Sequence, residues 1–388
     1  MFEIIDMVEP TSTVIKVIGV GGAGGNAVEH MIRENVQGVE FICCNTDCQA
    51  LNQSSADIKL QLGPGQGAGG RPEKARDLAM GERERIAEAL EGAHMVFITA
   101  GMGGGTGTGA APVIAEVARE KNILTVAVVT KPFEFEGKRM RLAEEGLCEL
   151  QQYVDALIVI LNEKLMEVLG DDVSMQDAFQ AADNVLRNAV GGIAEIINVP
   201  GLVNVDFEDV RTVMGEMGKA MMGSASAAGV DRARLAAESA VASPLLEGIE
   251  LSGARGVLVN ITASRQLGMR EVKEVMKTIQ TYTHEEATVI FGTVFDDAME
   301  DNLRVTVVAT GLGGKIAKSP RLVETVQSYG LRTGTDDRMY GDPVAGGADL
   351  GLPPVFTSGR TRNSTVDAMS ASGVDKYDIP AFLRRQAD

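Results

Sequence analysis

Residues Gly101-Met102-Gly103-Gly104-Gly105-Thr106-Gly107-Thr108-Gly109 decide the reading of this chain. They follow an apolar run, Met95 to Ala100, that reads as a strand, and they precede an expected helix with Pro112 in its first turn. A backbone this bare brings consecutive N–H groups to an anion without Cβ obstruction. It is also costly to order, which argues against a merely structural turn. Thr106 and Thr108 add hydroxyl donors. No Gly-Lys-Ser/Thr pattern follows, so the loop is not the usual P-loop. The charge of a bound polyphosphate then falls to backbone dipoles and an accompanying Mg2+.

Working outward, a second glycine run, Gly19-Val20-Gly21-Gly22-Ala23-Gly24-Gly25-Asn26, lies between a strand at 13–20 and a helix at 26–34. It satisfies G-x-G-x-x-G, a dinucleotide fingerprint, but the only acid near the expected ribose position, Glu40, falls at the start of the next strand. A third run, Gly65-Gln66-Gly67-Ala68-Gly69-Gly70-Arg71-Pro72, leads into a helix over 73–90 with proline at its start, where a terminal phosphate would be sensed. Further strands are expected at 39–44, 124–130 and 156–161. Strands that alternate with helices and are apolar throughout predict a parallel sheet covered on both faces, an α/β unit over residues 11–175.

Phe179, Ala182, Leu186, Ala189, Ile193 and Ile197 recur at helical spacing, which predicts one long helix over 173–197, the core of a central segment 176–201 stopped by Pro200 and Gly201. Residues 202–314 read as a smaller α+β unit. Its helices are expected at 210–222, 232–242 and 272–282, and its strands at 256–263, 287–294 and 303–309. Composition then shifts to scattered Gly, Ser, Thr and Pro, which predicts a disordered linker over 315–376. A terminal peptide at 377–388 carries Ile379, Pro380, Phe382, Leu383, Arg384 and Arg385, an apolar and basic docking motif. Residues 1–10 read as a flexible N-terminus.

The 388 residues suffice for two packed units. A formal net charge of −18 disfavours contact with nucleic-acid backbones. No stretch of about 18 uncharged apolar residues is present, so no membrane insertion is expected and a cytoplasmic protein is the default. Of four cysteines, Cys43 and Cys44 are adjacent in an expected strand and point to opposite faces, which disfavours a metal site with Cys48.

The run GGGTGTG is the tubulin-type signature, and residues 11–314 together with the last eleven residues, DIPAFLRRQAD among them, resemble the bacterial cell-division GTPases of the tubulin superfamily. The resemblance implies a Rossmann-like parallel-sheet GTPase domain joined by a long central helix to a smaller α+β domain. It implies GTP or GDP as ligand, with Mg2+ and optionally K+, and no metal held directly by side chains. Phosphates would be cradled by Gly21, Gly22, Gly104, Gly105, Thr106, Gly107, Thr108 and Gly109, with Ala68, Gly69, Gly70 and Arg71 beside the γ-phosphate. Glu136 and Arg139 would hold the ribose, with Arg141 the alternative to Arg139. Asn26, Asn162 and Asp183 would read the guanine, and Phe179 would stack on it. Asp206 and Asp209, with Asn204, would reach the pocket of the next subunit and position the attacking water. The implied partners are identical subunits head to tail and, through the terminal peptide, membrane-tethering and regulatory division proteins at the midcell ring.

The chain departs from the family pattern at four places, one of them the cluster Cys43, Cys44 and Cys48, which replaces mostly apolar small residues near the second strand. Gly69-Gly70-Arg71-Pro72 stands for Gly-Ala-Asn-Pro, Glu136-Gly137-Lys138-Arg139 is one residue shorter than E-G-x-x-R, and Leu161 replaces the proline before Asn162. Without the resemblance, Asp206 and Asp209 read as a helix cap followed by a first-turn acid.

Overall fold

The computed structural model describes residues 13–170, 174–199, 201, 203, 205–216, 218–246, 253–284 and 286–312. The expected Asn204, the linker and the terminal peptide, as well as residues 1–12, lie outside the described residues. Among the described residues ten strands are formed: β1 Ile15–Val20, β2 Glu40–Asn45, β3 Ile58–Gln61, β4 Met95–Gly101, β5 Leu124–Lys131, β6 Ala156–Leu161, β7 Gly218–Ala228, β8 Gly256–Ala263, β9 Thr288–Phe295 and β10 Asn302–Leu312. The helices are α1 Gly21–Arg33, α2 Cys48–Gln53, α3 Pro72–Gly81, α4 Arg83–Ala89, α5 Thr106–Glu120, α6 Lys138–Leu150, α7 Asn162–Leu169, α8 Met175–Asn198, α9 Phe207–Met214, α10 Arg232–Val241 and α11 Met269–Tyr282.

All ten strands join one sheet in the order β3-β2-β1-β4-β5-β6-β7-β10-β8-β9. From β3 to β7 every neighbouring pair is parallel. Strand β10 runs antiparallel to both β7 and β8, and β8 is parallel to β9. The chain order reverses direction across the sheet between β1 and β4, which opens a crevice beyond their carboxyl ends. The loops that leave those two strands are the first and second glycine runs.

Alternation within the buried strands feeds two cores. Val17, Cys43, Phe97, Val126 and Val128 face one layer, and Ile18, Cys44, Ile98, Ala127 and Val129 the other. Cys43 and Cys44 thus sit on opposite faces as their adjacency predicts, and burial pushes both thiols up. On the first face α8 lays Ala182, Leu186, Ala189 and Ile193 against the sheet, in one cluster with Leu258 and Val308 of β8 and β10. Helix α8 is capped by Ser174, whose side chain accepts from the Asp177 N–H, and it stops at an extended Val199, the conformation forced on a residue before proline.

Four expectations differ from the structure. The helix expected over 210–222 is α9, ending at Met214, followed by β7. Nothing in Lys219-Ala-Met-Met-Gly-Ser-Ala-Ser-Ala-Ala228 is β-branched, so propensity favoured helix. The small residues are there because α10 lies directly on β7: a Cβ on Gly223 would come 2.0 Å from the Ala240 carbonyl oxygen. Pairing on both edges then overrides propensity. The single helix over 73–90 is two, broken at Glu82 (φ −107°, ψ 17°) just after Gly81. The first helix begins at Gly21 and not at Asn26, and α5 begins at Thr106, so Pro112 lies inside α5 and not in its first turn. Strand β3, a four-residue edge strand, carries no sequence signal of its own.

Candidate nucleotide site

Because α1 and α5 start so early, both glycine runs end as helix N-termini aimed at the crevice between β1 and β4. The first N–H groups of a helix have no intrahelical partner, and the helix dipole adds positive potential there. In α5 the first intrahelical bond is donated by Gly109 N–H to the Gly105 carbonyl (3.0 Å), leaving the N–H groups of Thr106, Gly107 and Thr108 for a ligand. The two runs touch each other: a Cβ on Gly21 (φ +76°) would lie 3.0 Å from Gly107 N. The third run closes the cradle from the other side, since a Cβ on Gly105 would lie 3.0 Å from both Ala68 Cβ and Arg71 N. In contrast, a Cβ on Gly22, Gly69, Gly70 or Gly104 would meet no protein atom within 4 Å. These four expected phosphate residues therefore border open space lined by backbone, which fits a polyphosphate.

The two threonines differ. The Thr108 hydroxyl is buried and accepts from Gly103 N–H at 2.8 Å, so it folds the loop back on itself. The Thr106 hydroxyl pairs with that of Thr46 at 2.7 Å, and Thr46 O accepts from Gly67 N–H at 2.8 Å. Thr46 thus ties the signature run, Gly101 to Gly109, to the third run. The turn Asn45-Thr46-Asp47 at the carboxyl end of a parallel strand was the available signal for it. Lys74 was not legible either: one turn into α3, its ammonium donates to the Gly67 carbonyl at 3.0 Å and brings a positive charge to the third run. Arg71 is the exposed residue preceding α3 and makes no side-chain cap. The donors that face the cradle are N–H groups and hydroxyls, which add no negative charge, so a divalent cation would fit there on phosphate oxygens.

The residues expected at the base come together on the same side of the sheet. Asn26 is exposed in the second turn of α1, which packs against the amino-terminal half of α8 through Ala27, Met31, Ala182 and Leu186. Phe179 and Asp183 are one turn apart on α8. Asp183 is half-buried, and burial pushes its carboxyl up to about 6, against the pull of His30 and Arg33. Phe179 is 46% exposed, so it is not the core position that its helical spacing also allowed, and its ring meets Phe133 edge-on at 6.1 Å. Asn162 opens α7 after β6; its side chain is buried and its Oδ1 has no hydrogen-bond partner. An orphaned acceptor of this kind costs about 1–3 kcal/mol until something donates to it. Glu136 accepts from Phe133 N–H at 3.1 Å and from the Arg139 guanidinium at 2.5 Å, so the shortened ribose motif still places Arg139 on Glu136.

Asp206 and Asp209 are elsewhere. Both are exposed at the start of α9, where Asp206 caps the helix by accepting from Asp209 N–H at 2.8 Å. The cap that the local sequence suggests is therefore real. Asn198 at the far end of α8 donates to the Gly38 carbonyl just before β2 (2.6 Å), and Phe207 packs on His94 just before β4 (6.2 Å between centroids). These are the amino ends of the parallel strands, opposite to the cradle. The 24 residues of α8 span ~36 Å at 1.5 Å per residue.

Comparison with known proteins agrees with this geometry. The GTPase-domain model of the Tubulin/FtsZ family matches residues 14–170, and the C-terminal-domain model of the FtsZ family matches residues 218–313. The cell division protein FtsZ of Pseudomonas aeruginosa is 54% identical over 397 residues, covering 100% of both chains. That of Coxiella burnetii is 53% identical over 392 residues, covering 99% of each. Among solved structures, the empty FtsZ dimer of M. jannaschii superposes with a TM-score of 0.75 at 42% identity, over 78% of this chain and 89% of that one. CetZ2 from Haloferax volcanii shares the fold, with a TM-score of 0.64 at 21% identity over 77% and 93% of the two chains. A glycine cradle at the switch point of the sheet and full-length likeness to these relatives lead to one assignment: the chain belongs to the Tubulin/FtsZ family, as a cell-division GTPase of the FtsZ type.

Proposed function

We propose that the chain polymerises head to tail with GTP bound in the cradle and hydrolyses it only at subunit junctions. The observation that carries this reading is the ~36 Å of α8 between the nucleotide pocket and the carboxylates of Asp206 and Asp209. No side-chain motion spans that distance, so these acids can serve only another copy's pocket. A heterologous contact of this kind repeats without closing. In it, Gly21, Gly22, Gly104 to Gly109 and the run Ala68 to Arg71 hold the phosphates, and Glu136 with Arg139 holds the ribose. Asn26, Asn162 and Asp183 accept from or donate to the guanine edge, with Phe179 on its face. Asp206 and Asp209 of the adjoining subunit, with Asn204 shaping their loop, orient a water against the γ-phosphate and accept its proton. The products are GDP and phosphate. Mg2+, optionally with K+, would supply charge neutralisation when bound with the nucleotide; positioning and electrostatics supply the rate.

The terminal peptide is proposed to dock Ile379, Pro380, Phe382 and Leu383 in an apolar groove of membrane-tethering and regulatory division proteins, with Arg384 and Arg385 meeting acids. The linker sets its reach. This places the filament on the cytoplasmic face of the membrane at the division site.

The test is phosphate release against protein concentration for the wild type and Asp209→Ala, with GTP affinity measured on both. Turnover per subunit is expected to rise steeply above a threshold concentration, and Asp209→Ala is expected to bind GTP normally while losing turnover. Turnover per subunit that is flat with concentration overturns the shared site. At the third run, Arg71→Asn is expected to reduce the preference for GTP over GDP, measured by titration with each nucleotide; an unchanged preference removes Arg71 from the γ-phosphate.

A further inference from the structure

His30 has no part in the scheme above, yet it is a buried polar residue (3% exposed) at the seam between α1 and α8. Its ring makes two contacts: Nε2 lies 2.6 Å from Asn184 Oδ1, and Nδ1 lies 3.1 Å from Arg33 Nη2. A guanidinium only donates, so Nδ1 must accept and the ring proton must sit on Nε2. Asn184 Oδ1 only accepts, which agrees with that tautomer. The result is a directed chain in which Arg33 donates to His30 and His30 donates to Asn184.

Its position gives the chain a consequence. Asn26 lies four residues before His30 on α1, one turn away, and Asp183 immediately precedes Asn184 on α8. The bond therefore spans the two walls of the base pocket within one helical turn of the residues assigned to read the guanine. Elsewhere the α1–α8 seam packs apolar side chains, Ala27, Met31, Ala182 and Leu186 among them, and the charges of Arg33 and Asp183 act across it. Apolar contacts of that kind are not directional and set neither axial shift nor rotation sharply. Among the described residues, His30 to Asn184 is the one side-chain hydrogen bond between the two helices.

We propose that His30 is a positioning residue for base recognition: by donating to Asn184 it fixes the register of α1 on α8 and so the separation of Asn26 and Asp183. The proposal rests on the assignment of Asp183 to the guanine. The phosphate cradle does not depend on this bond, so its loss acts on base selectivity and leaves the phosphate contribution to affinity in place.

The test uses the full chain below its assembly threshold and measures dissociation constants for GDP and for inosine diphosphate, which lacks the 2-amino donor. The readout is the ratio of the two. His30→Leu is expected to lower the preference for GDP about threefold to tenfold, the worth of one hydrogen bond. His30→Gln, whose amide donates to Asn184, is expected to restore most of it. Asn184→Ala alters an exposed side chain and is expected to reproduce His30→Leu, which covers the case in which the buried substitution does not fold. A merely structural role shifts both constants together and leaves the ratio unchanged; that result in His30→Leu and Asn184→Ala overturns the proposal. Asp183→Ala is run beside them and is expected to bring the ratio close to one. An unchanged ratio there overturns the base assignment and the proposal with it, whereas a collapsed ratio there with unchanged ratios in the other two overturns the positioning role alone.

Discussion

Two adjacent glycines in the signature run, Gly104 and Gly105, should respond to alanine in opposite ways. A Cβ on Gly105 would sit 3.0 Å from Ala68 Cβ, 3.0 Å from Arg71 N and 3.2 Å from Gly70 Cα. Relief needs a shift of a few tenths of an ångström in backbone that has little freedom to give. Overpacking of this kind costs about 1–3 kcal/mol. Gly105 has φ −76° and ψ −62°, which alanine adopts without strain, so about 0.5–1 kcal/mol is regained from the unfolded chain. The net for Gly105→Ala is a destabilisation of about 1–2 kcal/mol without ligand. A Cβ on Gly104 meets no protein atom within 4 Å, so Gly104→Ala is expected to be neutral to slightly stabilising without ligand. If the open space beside it holds phosphates, the same methyl intrudes on them and weakens GDP at least about tenfold, ~1.4 kcal/mol. The assay is denaturant unfolding without nucleotide, paired with GDP titration. A Gly104→Ala protein with wild-type affinity would refute the placement of the phosphates, and a Gly105→Ala protein with wild-type stability would refute the packing argument.

The raised carboxyl of Asp183 gives a pH test. Its folded value of about 6 lies above the ordinary aspartate value, so the ionised form that the proposed guanine contact requires is lost as pH falls through 6. GDP affinity is expected to drop below that pH, with the drop flattened in Asp183→Asn. For stability the sign is opposite: the fold binds this proton more tightly than the unfolded chain, so Asp183 makes the ligand-free protein less stable as pH rises towards 6. Lys74→Met releases the Gly67 carbonyl and is expected to weaken GTP several-fold with little change in ligand-free unfolding, read by titration and denaturant melt. In the second half, buried Arg232 binds Glu271 through two hydrogen bonds (2.6 and 3.2 Å) and the Asp301 carbonyl at 3.0 Å. Arg232→Met is expected to cost about 2–3 kcal/mol in denaturant unfolding, below the range for fully buried pairs because Glu271 remains partly exposed. Arg232 also holds the Glu271 carboxyl below its usual range, so this contribution is present near neutrality and is lost in the wild type as pH falls through that lowered value. The variant should show a smaller acid-dependent loss, the part that the Gly268 N–H bond to Glu271 still supports.

By itself the sequence determined the strands of the first half other than β3, the parallel sheet they form and the glycine loops that leave it. The reason is local: an apolar run followed by clustered glycines can be little else than a buried strand opening onto an anion. The length of α8 was equally legible, because a 3.6-residue apolar period from Phe179 to Ile197 needs no partner to be read. The cap at Asp206 was readable for the same reason, and its functional meaning was not. Only the tertiary structure decided that α1 and α5 begin inside the glycine runs, where helix propensity is poorest and packing against neighbouring loops supplies the stabilisation. Only pairing on two edges made a strand of Gly218–Ala228, whose small residues answer to α10 lying on it. Thr46 and His30 act through partners 60 and 154 residues away, separations at which sequence spacing carries no geometric information, and Lys74 meets Gly67 across a loop-to-helix boundary that no single periodicity spans. The distance between cradle and carboxylates belongs to the same class: both motifs are written in the chain, and it takes the rigid rod of α8 to hold them at opposite ends of one subunit.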